Sequence, residues 1–262
     1  MKQALALIAV LLLTLAAAAQ DWARASLEKS PRHQEWVAIQ HGDRTVHAFV
    51  VYPESRKKAA AVIVIHENTG LTDWARSVAD QLAAAGYIAI APDLLSGKAP
   101  GGGKTADFPS ADAAREAIGA LDPDQVTADL NAVAGYVRKL PATKGKVGVA
   151  GFCWGGRQSF RFATNRADLA AAFVFYGNGP EKVDAIRAPV FGFYGENDAR
   201  INATLRATEG AMKAAGKRFE PVTYAGAGHG FMRSGEAPDA SEANRKARED
   251  GWKRWLDLLE AM

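Results

Sequence analysis

Lys146-Val-Gly-Val-Ala-Gly-Phe-Cys-Trp-Gly-Gly156 carries a short apolar run into a helix-like segment through a turn flanked by glycines. The run reads as a strand, and the spacing after it predicts a helix over residues 154–165. A G-x-C-x-G turn between strand and helix holds its central residue in sterically costly backbone geometry, and the small neighbours let the two elements approach. Such a turn lifts Cys153 above the end of a sheet and sets it at a helix N-terminus, where partial positive charge favours a thiolate. The backbone N–H of Trp154 is then placed to hold an oxyanion. A buried structural cysteine is the competing reading, and the turn argues against it.

Strand and helix patterns alternate on both sides of this turn. Upstream, Ala60-Ala-Val-Ile-Val-Ile-His66 is a continuous apolar run of the kind buried on both faces of a sheet. It is followed by helical spacing over residues 72–85, with Trp74, Val78 and Leu82 four apart, and by the strand Tyr87-Ile-Ala-Ile-Ala-Pro92. Residues 94–109, rich in Gly, Lys and Pro, read as a long loop. Residues 111–120 and 123–140 look helical, with Asp122 as cap and Pro123 in the first turn. Downstream come strands at 170–176, 190–194 and 219–224, and helices at 203–215 and 241–259. Two β-like runs at 35–40 and 45–52, joined by His41-Gly-Asp43, form a hairpin ahead of the alternation. The expected fold is α/β: a mostly parallel sheet with helices on both faces and an antiparallel N-terminal hairpin, in one domain over residues 36–262.

Active sites of such sheets lie beyond the carboxyl ends of the strands. Besides Cys153, three strand ends carry polar groups: His66-Glu-Asn68, Asp198 after Phe191-Gly-Phe-Tyr-Gly-Glu-Asn, and His229 in Gly226-Ala-Gly-His-Gly-Phe231. An acid at 198 can hold a histidine in its useful tautomer, and glycines around 229 let that loop fold back over the sheet. Glu196 is a competing carboxylate. The chain order nucleophile, acid, histidine is that of α/β-hydrolases. Glu67 directly follows a buried run and faces the same end, as a site carboxylate or a loop acid. His33, His41 and His47 precede the alternation and lack metal-ligand spacing, so no metal and no cofactor are expected.

The 262 residues are 48% hydrophobic and 23% charged, with formal net charge +3. Arg56-Lys-Lys58 is short, and with no basic stripe nucleic acid is not an expected partner. Lys2, an apolar run and Ala17-Ala-Ala19 describe a secretory signal over residues 1–19, cut before Gln20. A retained anchor is the alternative, but the run is a little short to span a bilayer. Cleavage removes Lys2, leaves a net charge of +2, and leaves no membrane segment. Residues 20–35 read as a polar extended arm. The expected location is the periplasm or the exterior, where a lone cysteine implies burial or use.

Together these segments resemble the dienelactone hydrolase family over nearly the whole mature chain. The resemblance rests on Val64-Ile-His-Glu-Asn-Thr-Gly-Leu71, Gly86-Tyr-Ile-Ala-Ile-Ala-Pro-Asp-Leu94, Gly151-Phe-Cys-Trp-Gly-Gly156, Tyr194-Gly-Glu-Asn-Asp198 and Gly228-His-Gly-Phe231. It implies an α/β-hydrolase fold and a carboxylic ester hydrolase acting on a small ester or lactone, expected to work as a monomer. It implies a triad of Cys153, Asp198 and His229, with Glu67 contacting the resting thiol and Asn68 N–H joining Trp154 N–H as oxyanion donors. Substrate carboxylate is gripped in that family by two arginines. Arg233, four residues after His229, matches one, and the place of the other falls in Pro92-Asp-Leu-Leu-Ser-Gly-Lys98, which holds no arginine and offers Lys98. Lysine lacks the planar fork that binds carboxylate through two parallel bonds. A broad carboxylesterase or thioesterase is therefore the alternative activity, and a non-catalytic thiol binder or sensor is the alternative outside enzymes.

Overall fold

Two side-chain clusters grow from opposite faces of the same strands. In β3 (Ala59–Ile65) Ile63 and Ile65 enter one cluster while Val62 and Val64 enter the other. In β4 (Ile88–Pro92) Ile88 and Ile90 part from Ala89 and Ala91 in the same way. This is the two-residue period of a strand covered on both sides. The computed structural model of the protein describes residues 21–262; the expected leader and its cleavage site lie outside the described residues.

Around these strands the chain forms α1 (Asp21–Glu28), β1 (Gln34–His41), β2 (Arg44–Val51), α2 (Asp73–Ala84), α3 (Ala111–Gly119), α4 (Pro123–Lys139) and β5 (Thr143–Phe152). There follow α5 (Trp154–Asn165), β6 (Ala171–Phe175), β7 (Val190–Asn197), α6 (Ala199–Ala214), β8 (Phe219–Gly228), the one-turn α7 (Phe231–Ser234) and α8 (Glu242–Glu260). The sheet has eight strands in the order β1-β2-β4-β3-β5-β6-β7-β8. β1 and β2 pair antiparallel, as do β2 and β4, and every other neighbour is parallel. This is the α/β-hydrolase architecture, with its antiparallel hairpin closed by Gly42 and Asp43. Helices α4, α5 and α6 cover one face, and α1, α2, α7 and α8 the other. Trp255 of α8 is fully buried against Phe173 and Phe175, and loss of so large a core ring costs about 3–5 kcal/mol.

Three expectations are corrected. Residues 21–28 are helical rather than an extended arm: Ala23 and Leu27, four apart, form a buried stripe too short to stand out in a polar stretch. The next residues are pinned as well, since Ser30, Arg32 and Gln34 all donate to Asp80 of α2. Helix α6 begins at Ala199, because the side chain of Asp198 accepts from Ile201 N–H as its cap. The loop around His229 is not free chain: β8 runs to Gly228, and α7 anchors the far side through buried Phe231 and Met232.

The carboxyl ends of β3 and β4 are clasped together. Asp93, almost fully buried, accepts from Thr105 N–H and, at 2.7 Å, from the Thr105 hydroxyl. That hydroxyl in turn accepts from Leu71 N–H at 3.0 Å. The long loop after β4 is thus tied to the loop that carries Glu67 and Asn68.

Candidate active site

Cys153 sits between β5 and α5 with φ 56° and ψ −115°, a region that L side chains avoid. Three contacts hold it there. Its N–H donates to Phe175 O at 3.0 Å, its carbonyl accepts from Arg157 N–H at 3.2 Å, and the adjoining Phe152 ring stacks on Phe175 at 4.6 Å. The flanking glycines are needed for approach: a methyl on Gly151 would overlap the Gly155 carbonyl, and one on Gly155 would overlap the carbonyls of His66 and Ile65. The strand-to-helix turn therefore folds as its sequence predicts, with the thiol half-exposed above the sheet.

The three triad candidates converge. His229 Nδ1 lies 2.5 Å from Asp198 Oδ2, and the Cys153 side chain is the other group that acts on the ring. With Nδ1 donating to the acid, Nε2 is the nitrogen left for sulfur. The His229 pKa is pushed up to about 9, first by the hydrogen bond to Cys153 and then by Asp198, against a desolvation penalty. Asp198 is 6% exposed and splits its oxygens, one for the imidazole and one for the α6 cap. Glu196, the rival acid, is exposed and accepts from Gly226 N–H at 2.7 Å, so it staples the β8 end instead.

Glu67 also reaches this end of the sheet, where two further groups hold its carboxylate. Its Oε2 accepts from Arg233 Nε at 2.7 Å and its Oε1 from the Tyr176 hydroxyl at 3.4 Å. Both carboxylate oxygens of Glu67 are thus engaged, one by a cation and one by a phenol. The physical reason is burial: a carboxylate only 8% exposed is drawn to the cation beside it. Tyr176 is itself fully buried with φ 43°, and its ring meets His229 edge-on at 5.0 Å. Burial pushes the Tyr176 pKa well up, with Glu67 adding to it, so the phenol stays a donor. No sequence signal singled out Tyr176; its place at the end of β6 was legible, but its backward-turned backbone was not.

The model of the dienelactone hydrolase family matches residues 46–262. The chain belongs to the dienelactone hydrolase family. A carboxymethylenebutenolidase of Pseudomonas putida is 30% identical over 235 residues, 86% of this chain and 95% of that one. A provisionally named carboxymethylenebutenolidase of Salmonella typhimurium is 34% identical over 210 residues, 75% of each. A provisionally named dienelactone hydrolase structure from Klebsiella pneumoniae superposes with a TM-score of 0.77 at 27% identity, covering 88% of this chain and 99% of that one.

Within this family framework the two basic candidates part company. Arg233 stands at the same end of the sheet as the triad candidates, with its charge offset by Glu67. Lys98 does not join it: the residue is exposed and lines a separate polar cavity of about 690 Å³ with Arg44, His47 and Ser96. The chain turns away because Ser96 is buried, donating to Asp93 O and accepting from His47 N–H, which aims the next residues toward the β1–β2 side. Among the described residues, no cluster of three His, Cys, Asp or Glu is arranged to hold a metal ion. The two expected oxyanion donors, Asn68 N–H and Trp154 N–H, have no acceptor among the described residues.

Proposed function

We propose that the protein hydrolyses a small carboxylic ester or lactone through a Cys153–His229–Asp198 triad and an acyl-enzyme intermediate. The observation that carries this reading is the hydrogen bond from His229 Nδ1 to Asp198 Oδ2, with the ring acted on by a cysteine held in an elbow at a helix N-terminus. His229 Nε2 takes the thiol proton, Cys153 Sγ attacks the carbonyl carbon, and the carbonyl oxygen becomes an oxyanion held by Asn68 N–H and Trp154 N–H. Collapse of this intermediate expels the alkoxide, which takes the proton from His229; in a lactone it stays attached to the acyl group. Water, deprotonated by His229, then attacks the thioester, and the released thiolate is reprotonated. Asp198 fixes the tautomer throughout.

A second reading, a carboxylesterase or thioesterase without preference for anionic lactones, is favoured by the basic residues. Arg233 already has its Nε on Glu67, and Lys98 faces another cavity. A substrate carboxylate therefore meets little uncompensated positive charge. Purified protein of residues 20–262 is assayed on a panel of carboxylate-bearing lactones, neutral aryl esters and thioesters, beside Cys153→Ala. Turnover of at least one class by wild type and none by Cys153→Ala is expected. Equal turnover by the two would refute the nucleophile, and the ranking of the panel decides between the readings. Export to the periplasm or the exterior is part of the proposal, resting on Lys2, the apolar run and Ala17-Ala-Ala19. Terminal sequencing of the exported protein should begin at Gln20.

A further inference from the structure

We infer that His66 is a positioning residue for the oxyanion site, aiming the Asn68 N–H and packing against the side chain of Trp154. The inference rests on the proposed acyl-transfer reading. His66 follows β3, is fully buried, and has both ring nitrogens engaged. Nδ1 lies 2.8 Å from Glu67 O, and Leu94 N–H points at Nε2 from 3.3 Å. A carbonyl only accepts and an amide N–H only donates, so the ring is neutral with its proton on Nδ1. Burial favours that neutral form, against the pull of Asp93.

The consequence lies in the peptide unit that His66 grips. The Glu67 carbonyl and the Asn68 N–H belong to one plane, and no cis peptide bond occurs among the described residues. In a trans peptide the two groups point in opposite directions. Holding the carbonyl toward His66 therefore aims the Asn68 N–H away from it. The Gly70 N–H, at 3.3 Å, also reaches the Glu67 carbonyl, but it comes from the same turn and cannot fix that turn against the sheet. His66 can, because it directly follows Ile65 of β3 and its Nε2 is held by Leu94 N–H just beyond β4. The other face of the ring system serves Trp154: the two rings stack at 5.6 Å with planes 11° apart. One buried imidazole thus touches the peptide of one donor and the side chain of the other. Its hydrogen bonds and ring stacking go to neither Cys153 nor His229, so the expected effect is on the developing oxyanion and not on the nucleophile.

Asparagine and glutamine separate the two ring nitrogens. An Asn side-chain amide can donate near the Nδ1 position, whereas Gln reaches the Nε2 position and leaves Glu67 O without its partner. The test compares wild type, His66→Asn, His66→Gln and His66→Leu, with Cys153→Ala as control. Readouts are kcat and KM on p-nitrophenyl acetate, inhibition by a trifluoromethyl ketone, and thiol alkylation by iodoacetamide, which forms no oxyanion. Losing the aim of one donor should lower kcat in His66→Gln and His66→Leu by roughly 10–100-fold, short of full donor removal. Ketone affinity should fall in step, while KM and the alkylation rate stay within about two-fold of wild type, the scatter allowed for a site whose thiol is undisturbed. His66→Asn should recover most of kcat. If His66→Leu does not fold, the Asn-to-Gln ratio carries the decision. Gln equal to or faster than Asn overturns the inference, as does an alkylation rate that falls as far as kcat. Turnover surviving in Cys153→Ala would instead sink the acyl-transfer reading beneath it.

Discussion

Replacing Cys153 by glycine should give a more stable protein than replacing it by alanine, although the proposed mechanism expects neither variant to turn over. The reasoning starts from φ 56° and ψ −115° at this residue. A non-glycine side chain in such a region costs about 1–3 kcal/mol, and alanine retains that cost. Glycine removes it, but its unfolded chain is more flexible, which gives back roughly 0.5–1 kcal/mol. The expected net advantage of Cys153→Gly over Cys153→Ala is therefore about 1 kcal/mol, with an upper end near 2. In a chain of this size that is a rise in Tm of about 2–4 °C for each kcal/mol. Using Ala as the reference removes the thiol and its influence on His229 from both sides. Denaturant unfolding followed by circular dichroism, at fixed pH with m-values compared, gives the difference directly. A glycine variant equal to or less stable than alanine, with unchanged m, would show that the elbow stores no strain.

Asp198→Asn should keep the α6 cap, since Asn accepts from a helix N–H as well as Asp does, yet lower kcat/KM by about 10³–10⁴ through loss of the charge behind His229. Steady-state kinetics with a melting curve would check it; an activity loss under tenfold would mean that another acid serves. His229 also predicts a pH signature. Its folded pKa is raised from 6.5 to about 9, so its stabilising contribution is complete below 6.5 and disappears as pH rises through about 9. The stability difference between wild type and His229→Gln should shrink across that window, and NMR titration of the ring in Cys153→Ala should show a lower midpoint than wild type. An unchanged midpoint would remove Cys153 as the main cause.

Much of this was legible in the sequence because it lies in local patterns. The elbow was read from two glycines around a cysteine, and their role as contact points with Gly155 O, His66 O and Ile65 O follows from having no side chain. Strand β3 was legible from a run of Val and Ile, and Asp198 and His229 from their places after strands. What could not be read depends on which of several plausible partners wins in space. That Glu67 would take Arg233 and Tyr176 as hydrogen-bond partners depends on which groups the fold buries beside it. Lys98 is positioned by the bonds of Ser96 to Asp93 and His47, which no spacing rule encodes. Helix α1 needed the surface of α2 to give Ala23 and Leu27 somewhere to go.

The divided loyalty of Asp198 has a mechanical consequence. One oxygen is committed to the first turn of α6 and the other to the imidazole. A rotation of the His229 ring away from Asp198 would therefore leave the carboxylate behind, because its other oxygen is fixed to the first turn of a sixteen-residue helix. The orientation of this imidazole is thus referred to the packing of a whole helix rather than to a single side-chain rotamer.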